Sequence, residues 1–204
     1  MRRSSITGGA VLAVAFVALA LPGCSGRQVT RIDPNTTIDL SGRWNDTDSR
    51  LVAQEMISDV MGRPWLERFF SNEGRNPVII AGAVKNRSHE HINVRHFLKD
   101  IQRELLNAGQ VDLVADAGER EEVRDEKLDM LANADPSTIA QMGMEQGADY
   151  MMHGEINSIV DQYDNERTIT YKVNLQLTDI QTNRLVWIGE KDIKKYIGKG
   201  KYGA

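Results

Sequence analysis

Strict alternation of apolar and polar side chains marks a stretch near the C-terminus. Apolar residues occupy every odd position from 169 to 177, and polar residues occupy the even positions between them. Because successive side chains of a strand point to opposite faces of a sheet, this pattern predicts a strand with one buried and one polar face. Residues 150–160 predict a strand before it and residues 185–193 a strand after it, so the three form an antiparallel meander.

Two other kinds of apolar pattern predict buried strands and helices earlier in the chain. Residues 78–84 (VIIAGAV) form a nearly continuous apolar run, which is typical of a strand covered on both faces. Between Asn93 and Gly109 the apolar residues recur at helical spacing, and these two residues are suited to cap a helix. The other predicted elements are helices after the N-cap Asp48, from Pro64, over residues 116–131 and from Pro136, and a strand at residues 111–114.

The predicted order of elements is α-β-α-β-α-α-β-β-β, with the first helical segment broken at Gly62 and Pro64. Helices that mix with both buried and half-buried strands favour a layered α/β sandwich around a mixed sheet. Residues 43–195 supply all of these elements and are predicted to form one domain.

The apolar run at the start of the chain predicts a targeting segment. Two arginines, at positions 2 and 3, precede twelve residues, 10–21, that carry no charge. A membrane-spanning helix needs about 20 apolar residues, so this run is too short to be one. A positive start, a short apolar run and small residues after it indicate a secretory signal peptide over residues 1–23. The run ends in Leu21-Pro22-Gly23-Cys24, which resembles the bacterial lipobox.

The lipobox resemblance implies that Cys24, the sole cysteine, is acylated and becomes the first residue of the mature chain. Two or more acyl chains hold a protein stably at a bilayer, whereas one chain gives marginal binding. Residue 25 is Ser rather than the Asp that retains lipoproteins in the inner membrane of enteric bacteria, which favours export to the outer membrane. The alternatives are an ordinary signal peptide with an incidental cysteine and an uncleaved anchor.

The segment after the cysteine is polar and lacks a helical or strand period. Residues 24–42 are therefore predicted to be a lipidated N-terminus and a polar tether. Its eighteen residues from 25 to 42 reach about 60–65 Å when fully extended and span about 23 Å as a flexible coil. At the other end, residues 196–204 are predicted to be a basic, frayed tail.

Lysines are concentrated at this C-terminal end of an otherwise acidic chain. They are Lys191, Lys194, Lys195, Lys199 and Lys201. Their positive charge could contact anionic glycan peptides or lipid headgroups. The alternative is a solvated, solubilising tail.

Composition and motifs exclude several classes of function. The net charge of −4 leaves no basic field for nucleic acid, so no nucleic-acid partner is predicted. One cysteine permits neither an intramolecular disulfide nor a cysteine-based zinc cluster. The sequence contains no G-x-S-x-G nucleophile elbow and no glycine-rich phosphate loop. We therefore predict no catalytic residue and no cofactor, and we do not expect an enzyme.

Three of the four histidines lie close together, at His89, His91 and His96, beside Glu90. A His-x-His pair on an extended segment can present two imidazoles to a metal ion. No further ligand stands out at a fitting spacing. The pattern thus favours a polar loop followed by an exposed histidine over a metal site.

Asn86, Arg87 and Ser88 follow the buried strand at its carboxyl end, where α/β sheets often bind ligands. An arginine offers a rigid fork of donors to a partner carboxylate. These three residues are therefore a candidate partner-binding site. The alternative is a loop that the Asn and Ser side chains close by hydrogen bonds to the backbone.

Several short segments, taken in order, resemble the LpoB-type outer-membrane lipoproteins. They are Arg43-Trp44-Asn45, Val84-Lys85-Asn86-Arg87-Ser88, Leu105-Leu106-Asn107-Ala108-Gly109, Gly147-Ala148-Asp149-Tyr150, and a hairpin with Leu177, Gln181-Thr182, Val186-Trp187 and Gly189. The resemblance covers residues 43–193. It implies an α/β fold similar to the N-terminal domain of TolB and a domain that faces the periplasm. It also implies a non-catalytic role, in which the domain binds and stimulates a class A penicillin-binding protein.

The tether departs from this resemblance. Enteric members of the family have a long Pro-rich tether that can cross the peptidoglycan, whereas residues 25–42 contain one proline. A structural or assembly lipoprotein, which uses the same fold as a docking module in the envelope, is therefore the alternative function.

Overall fold

The computed structural model of the chain describes residues 29–198. The predicted signal peptide, Cys24, Lys199 and Lys201 lie outside the described residues. Among residues 29–198, no helix is both long enough and apolar enough to cross a membrane.

Within residues 29–198, five strands form one mixed sheet. They are β1 (Val78–Arg87), β2 (Asp112–Val114), β3 (Tyr150–Tyr163), β4 (Glu166–Asp179) and β5 (Leu185–Ile197). The strands lie in the order β2-β1-β3-β4-β5. β1 pairs in parallel with β2 and β3, whereas β3, β4 and β5 pair antiparallel. The predicted mixed sheet with a C-terminal antiparallel meander is confirmed.

The alternating strand has the predicted register. Its odd positions from Ile169 to Leu177 are all completely buried, and its even positions from 170 to 178 are half-buried. β4 lies between β3 and β5, so its buried face forms the centre of the core.

The described part of the chain also contains four helices. They are α1 (Asp46–Met61), α2 (Pro64–Glu73), α3 (Val94–Ala108) and α4 (Ala117–Asn133). α1 packs on α3 and β5, and α3 packs on β1 and β2. Trp44, just before α1, places its ring edge-on to Phe97 of α3 and to Tyr171 of β4, at centroid distances of 5.9 and 5.6 Å. The helices α1 and α3 and the buried sheet face thus enclose one core, which confirms the layered α/β class.

The helix ends follow local side-chain chemistry. Asn93 caps α3 through its side chain, and Gly109 ends α3 with a positive φ of 67°, both as predicted. The predicted N-cap Asp48 is instead the third residue of α1, because Asn45 caps this helix. Asn45 and Asp48 form a capping box, in which each side chain accepts a hydrogen bond from the other's backbone N–H.

The prediction of a helix that begins at Pro136 is wrong. The Asp135 carboxylate accepts hydrogen bonds from the Ser137 backbone N–H and hydroxyl, at 2.8 and 2.7 Å, and these bonds hold a turn. Residues 139–148 contain no helix. The observed order is therefore α-α-β-α-β-α-β-β-β instead of the predicted α-β-α-β-α-α-β-β-β, within the same fold class.

Candidate partner-binding site

The predicted site residues Asn86, Arg87 and Ser88 lie where β1 runs into the loop before α3. The Asn86 amide donates to the Glu90 carbonyl at 2.8 Å and accepts from the Ser88 backbone N–H at 2.9 Å. The Ser88 hydroxyl donates to the same Glu90 carbonyl at 2.9 Å. Asn86 and Ser88 therefore close the loop, in the way that the alternative interpretation expected.

Arg87 is oriented differently from its two neighbours. Its Nε lies 2.8 Å from a carboxylate oxygen of Glu155 on β3, and its side chain remains 59% exposed. Exposed ion pairs of this kind contribute little to stability. The Arg87 guanidinium can therefore be offered to a partner carboxylate at small cost to the fold.

A polar node behind this loop joins three distant parts of the chain. The carboxylate of Glu90, 12% exposed, accepts hydrogen bonds from the Trp44 backbone N–H at 2.9 Å and from the Tyr171 hydroxyl. Burial raises the pKa of the Tyr171 phenol well above its ordinary value, and the Glu90 carboxylate raises it further. Tyr171 thus stays protonated and donates its hydrogen to Glu90.

The clustered histidines have separate partners. The Nδ1 atom of His89 lies 2.6 Å from the hydroxyl of Ser158 on β3, and its ring stacks on Tyr171. His96 lies 3.9 Å from a carboxylate oxygen of Asp100, one turn along α3. His91 and His96 line a shallow groove beside Trp44. Within the part of the chain that the structure describes, no three His, Cys, Asp or Glu side chains are grouped so as to hold a metal ion.

A buried lysine fixes the end of the predicted tether to the domain. Lys195 is 8% exposed and donates to Asp39 Oδ1 at 2.6 Å, to Asp48 Oδ2 at 2.5 Å and to the Arg43 carbonyl at 2.9 Å. Burial alone would lower the pKa of Lys195, but the hydrogen bonds to the two carboxylates outweigh it and raise this pKa. We call this group, Asp39, Arg43, Asp48 and Lys195, the Lys195 clamp.

The interpretation of the C-terminal lysines as one solvated tail is wrong for Lys191 and Lys195. Lys195 is buried, and Lys191 forms an ion pair with Glu55 of α1 at 2.5 Å. Lys194 between them is exposed. These three lysines therefore have three different environments.

Sequence reasoning missed Glu90 and Lys195 as organising residues. For Lys195 a signal was present, since it lies between Ile193 and Ile197 at the spacing of inward-facing positions on β5. A lysine at such a position requires buried acidic partners. Glu90 offered no such signal, because its partners Trp44 and Tyr171 lie 46 and 81 residues away in the sequence.

A cleft at the opposite end of the sheet has an aromatic lining. Its volume is about 480 Å³, and Trp65, Phe69 and Tyr150 contribute to its walls. Arg75 lies 5.1 Å from the Phe69 ring centroid and forms two hydrogen bonds with Asp149, at 2.7 and 2.8 Å. The Arg75 charge is therefore satisfied within the chain.

The polar side chains described above are mostly bonded to one another, at both ends of the sheet. Together with the mixed sheet and its flanking helices, these bonds define the class of the protein as a layered α/β domain. A family model described as the peptidoglycan-synthase activator LpoB matches residues 48–193. The chain belongs to this LpoB family of peptidoglycan-synthase activators.

Several solved structures are similar to this chain at low sequence identity. The LpoB C-terminal domain from Escherichia coli is 18% identical over 72% of this chain and 98% of that chain, with a TM-score of 0.43. The NMR structure of E. coli LpoB is 16% identical over 94% of both chains, with a TM-score of 0.40. Lipoprotein GNA1162 from Neisseria meningitidis is 14% identical over 62% of this chain and 88% of that chain, with a TM-score of 0.39. No curated protein matches the chain significantly.

Proposed function

We propose that this chain is a lipid-anchored envelope protein that binds and stimulates a class A penicillin-binding protein and so regulates peptidoglycan synthesis. The observation that carries the proposal is the match of residues 48–193 to the synthase-activator family. The domain acts without catalysing a reaction. It binds the active conformation of the synthase more tightly than the inactive one, and this difference in affinity shifts the population toward activity.

The proposed anchor is acylated Cys24, which holds the chain at the outer membrane with the domain facing the periplasm. The lipobox-like sequence and Ser25 support this placement. The test is Cys24→Ser, which removes the acylated sulfur and leaves the described domain unchanged. The variant should be recovered from the soluble periplasmic fraction. Continued fractionation with outer membranes would contradict the anchor.

The candidate contact includes Asn86, Arg87 and Ser88. The hydrogen bonds of Asn86 and Ser88 hold the loop, and the exposed Arg87 presents its guanidinium. A carboxylate on the synthase can replace Glu155 as the partner of Arg87, because both side chains of the existing pair are exposed to solvent.

Stimulation in solution tests the main proposal. The mature chain with Cys24→Ser is mixed with each class A penicillin-binding protein of the organism, and glycan polymerisation is measured. At least one synthase should polymerise faster and bind the chain. A heat-unfolded sample of the same protein is the control. If no synthase binds or responds, the activator proposal fails.

The alternative, a docking lipoprotein without an effect on a synthase, is favoured by the reach of the tether. Asn45 donates to the Ile38 carbonyl, and Asp39 is held in the Lys195 clamp. At most the thirteen residues from 25 to 37 precede this fixed segment. A flexible coil of thirteen residues would span about 20 Å, which is a short distance for reaching an enzyme of the inner membrane.

A further inference from the structure

The basic and the acidic residues of helix α4 lie on different faces of the helix. Each residue of an α-helix is rotated by about 100° from the one before, so positions around the axis follow from the sequence. One sector of about 140° contains all three basic residues and three large apolar ones, and no acidic residue. These six are Arg120, Val123, Arg124, Lys127, Leu128 and Leu131. We call this sector the basic-apolar face of α4.

The remaining circumference of α4 is acidic. All of its acidic residues lie there, namely Glu119, Glu121, Glu122, Asp125, Glu126 and Asp129. Lysine and arginine between the apolar residues conceal this pattern from a search for a purely apolar stripe. The separation of charge gives the helix two chemically different sides.

Helix α4 contributes no buried side chain to the core. None of its side chains is buried, and Val123, Leu128 and Leu131 are 51%, 54% and 53% exposed. Packing of an apolar face supplies most of the stability of helices in proteins. α4 relies instead on a capping box between Asp116 and Glu119 and on surface ion pairs. Its apolar side chains therefore remain available to another molecule.

The chain itself shows what charge this face accepts. Glu145, in the segment after α4, forms two hydrogen bonds of 2.7 Å with the Arg124 guanidinium. The hydrogen bond to Arg124 lowers the pKa of the Glu145 carboxyl, and the charges of Lys127 and Arg120 lower it further. The leucines beside this carboxylate are still about half exposed. The face thus binds a carboxylate while its apolar part stays open.

We propose that the basic-apolar face of α4 docks an acidic, apolar groove on the synthase partner, with a carboxylate of the groove replacing Glu145 on Arg124. The proposal rests on the proposed function and assigns a contact surface to it. An amphipathic helix that lays one face into a groove is a common mode of recognition. A protein groove fits better than an anionic membrane, because α4 carries six acidic residues against three basic ones.

The apolar residues of the basic-apolar face are tested in the mature chain carrying Cys24→Ser, which is the parent protein for all the variants. The double variant Leu128→Ser and Leu131→Ser should bind the synthase at least tenfold more weakly, with an almost unchanged melting temperature, because neither leucine is buried. The matched control is Leu106→Ser on α3, since Leu106 is 55% exposed. Leu106→Ser should bind as the parent does. Equal binding by the double variant would overturn the proposal.

The charged residues of the basic-apolar face are tested by two variants that should change synthase binding in opposite directions. Arg124→Glu should weaken binding about tenfold. Glu145→Gln should strengthen binding severalfold, because it removes the internal competitor for Arg124. Weaker binding by Glu145→Gln would overturn the exchange of carboxylates.

Two further outcomes separate the proposals. If the parent protein binds and stimulates a synthase but the α4 variants do so equally well, this inference fails and the proposed function stands. If the parent protein binds no synthase, the proposed function fails and this inference with it. Vesicles of phosphatidylethanolamine and phosphatidylglycerol serve as the membrane probe. If the parent protein sediments with these vesicles and the double variant Leu128→Ser and Leu131→Ser does not, the assignment to a protein groove is overturned.

Discussion

At the Lys195 clamp, one ammonium group exchanges its water for three protein oxygens. The side chain of Asp48 is as buried as that of Lys195, and its carboxylate has the ammonium as its charge partner. We expect Lys195→Met to lower the free energy of unfolding by about 3–5 kcal/mol, because it leaves a buried carboxylate unpaired. Urea unfolding measures the change. The control Lys194→Met alters an exposed lysine and should change stability by less than about 0.5 kcal/mol.

The stability difference between the wild type and Lys195→Met should also depend on pH. The pKa of Lys195 is raised in the folded state. Its contribution to stability is therefore complete below the ordinary lysine pKa of about 10.4 and is lost as the pH rises through the higher folded value. The stability difference between the wild type and Lys195→Met should be constant from neutral pH to about 10 and shrink above it. A difference that grows at high pH would contradict the ion pair.

Arg87 is the residue through which the β1 loop is proposed to contact the synthase. Arg87→Ala should weaken binding about tenfold, equivalent to ~1.4 kcal/mol, and leave stability almost unchanged because its ion pair is exposed. Lys85→Ala is the matched control, since Lys85 is also exposed on β1 and lies opposite Glu155, the ion-pair partner of Arg87, in the register of β1 and β3. Equal losses in both variants would indicate a general effect of charge instead of a specific contact.

Among the elements, β4 carries the most sensitive position. Leu175 is completely buried in the middle of the sheet, so Leu175→Asp places a charge without a partner in the core. This should cost about 4 kcal/mol or more, enough to unfold most of the protein. Gln176→Asp, on the half-buried side of the same strand, should be tolerated. Circular dichroism during thermal unfolding distinguishes the two, and a stable Leu175→Asp monomer would contradict the register.

The elements also show which parts of the fold could be predicted from the sequence. The alternating strand and the caps Asn93 and Gly109 depend on neighbouring residues, and their predictions hold. The helix from Pro136 fails because the Asp135 side chain bonds the backbone of its own turn, a competition that apolar spacing does not reveal.

The candidate site was harder to predict for a physical reason. The roles of Asn86 and Ser88 are local, so the alternative of a closed loop was available from the sequence. Glu90 depends on Tyr171, and Lys195 depends on Asp39 and Asp48, all brought close by the tertiary fold. Such partners are visible in the sequence only as polar residues at positions that should be apolar.

For the whole molecule, the length of the tether decides between the two proposed functions. A flexible insertion of about twenty residues between Gly26 and Arg27, before the clamp, raises the reach of a coil to about 30 Å. It should maintain or raise synthase activation in cells. Deleting residues 27–36 should abolish activation in cells, while the Cys24→Ser protein still stimulates the synthase in solution. Cell-wall incorporation of a labelled precursor measures both.

The opposite result has a clear meaning. If the deletion has no effect in cells and the soluble protein neither binds nor stimulates a synthase, the docking lipoprotein replaces the activator. Insertions after Gly42 would not serve this test. Gly42 has a φ of +67° and lies against Ile197, so it belongs to the folded domain.

The Lys195 clamp also determines where a mechanical load would enter the domain. If the chain is anchored as proposed, tension from the anchored end would reach Asp39 and Arg43 first and pass through Lys195 and Asp48 into β5 and the start of α1. The clamp joins the end of β5 to the start of α1, so the load would be divided between two packed elements of the domain. The load would leave the domain wherever a bound synthase held it, so the clamp would keep this tension from pulling the segment before α1 away from the fold while the contact lasted.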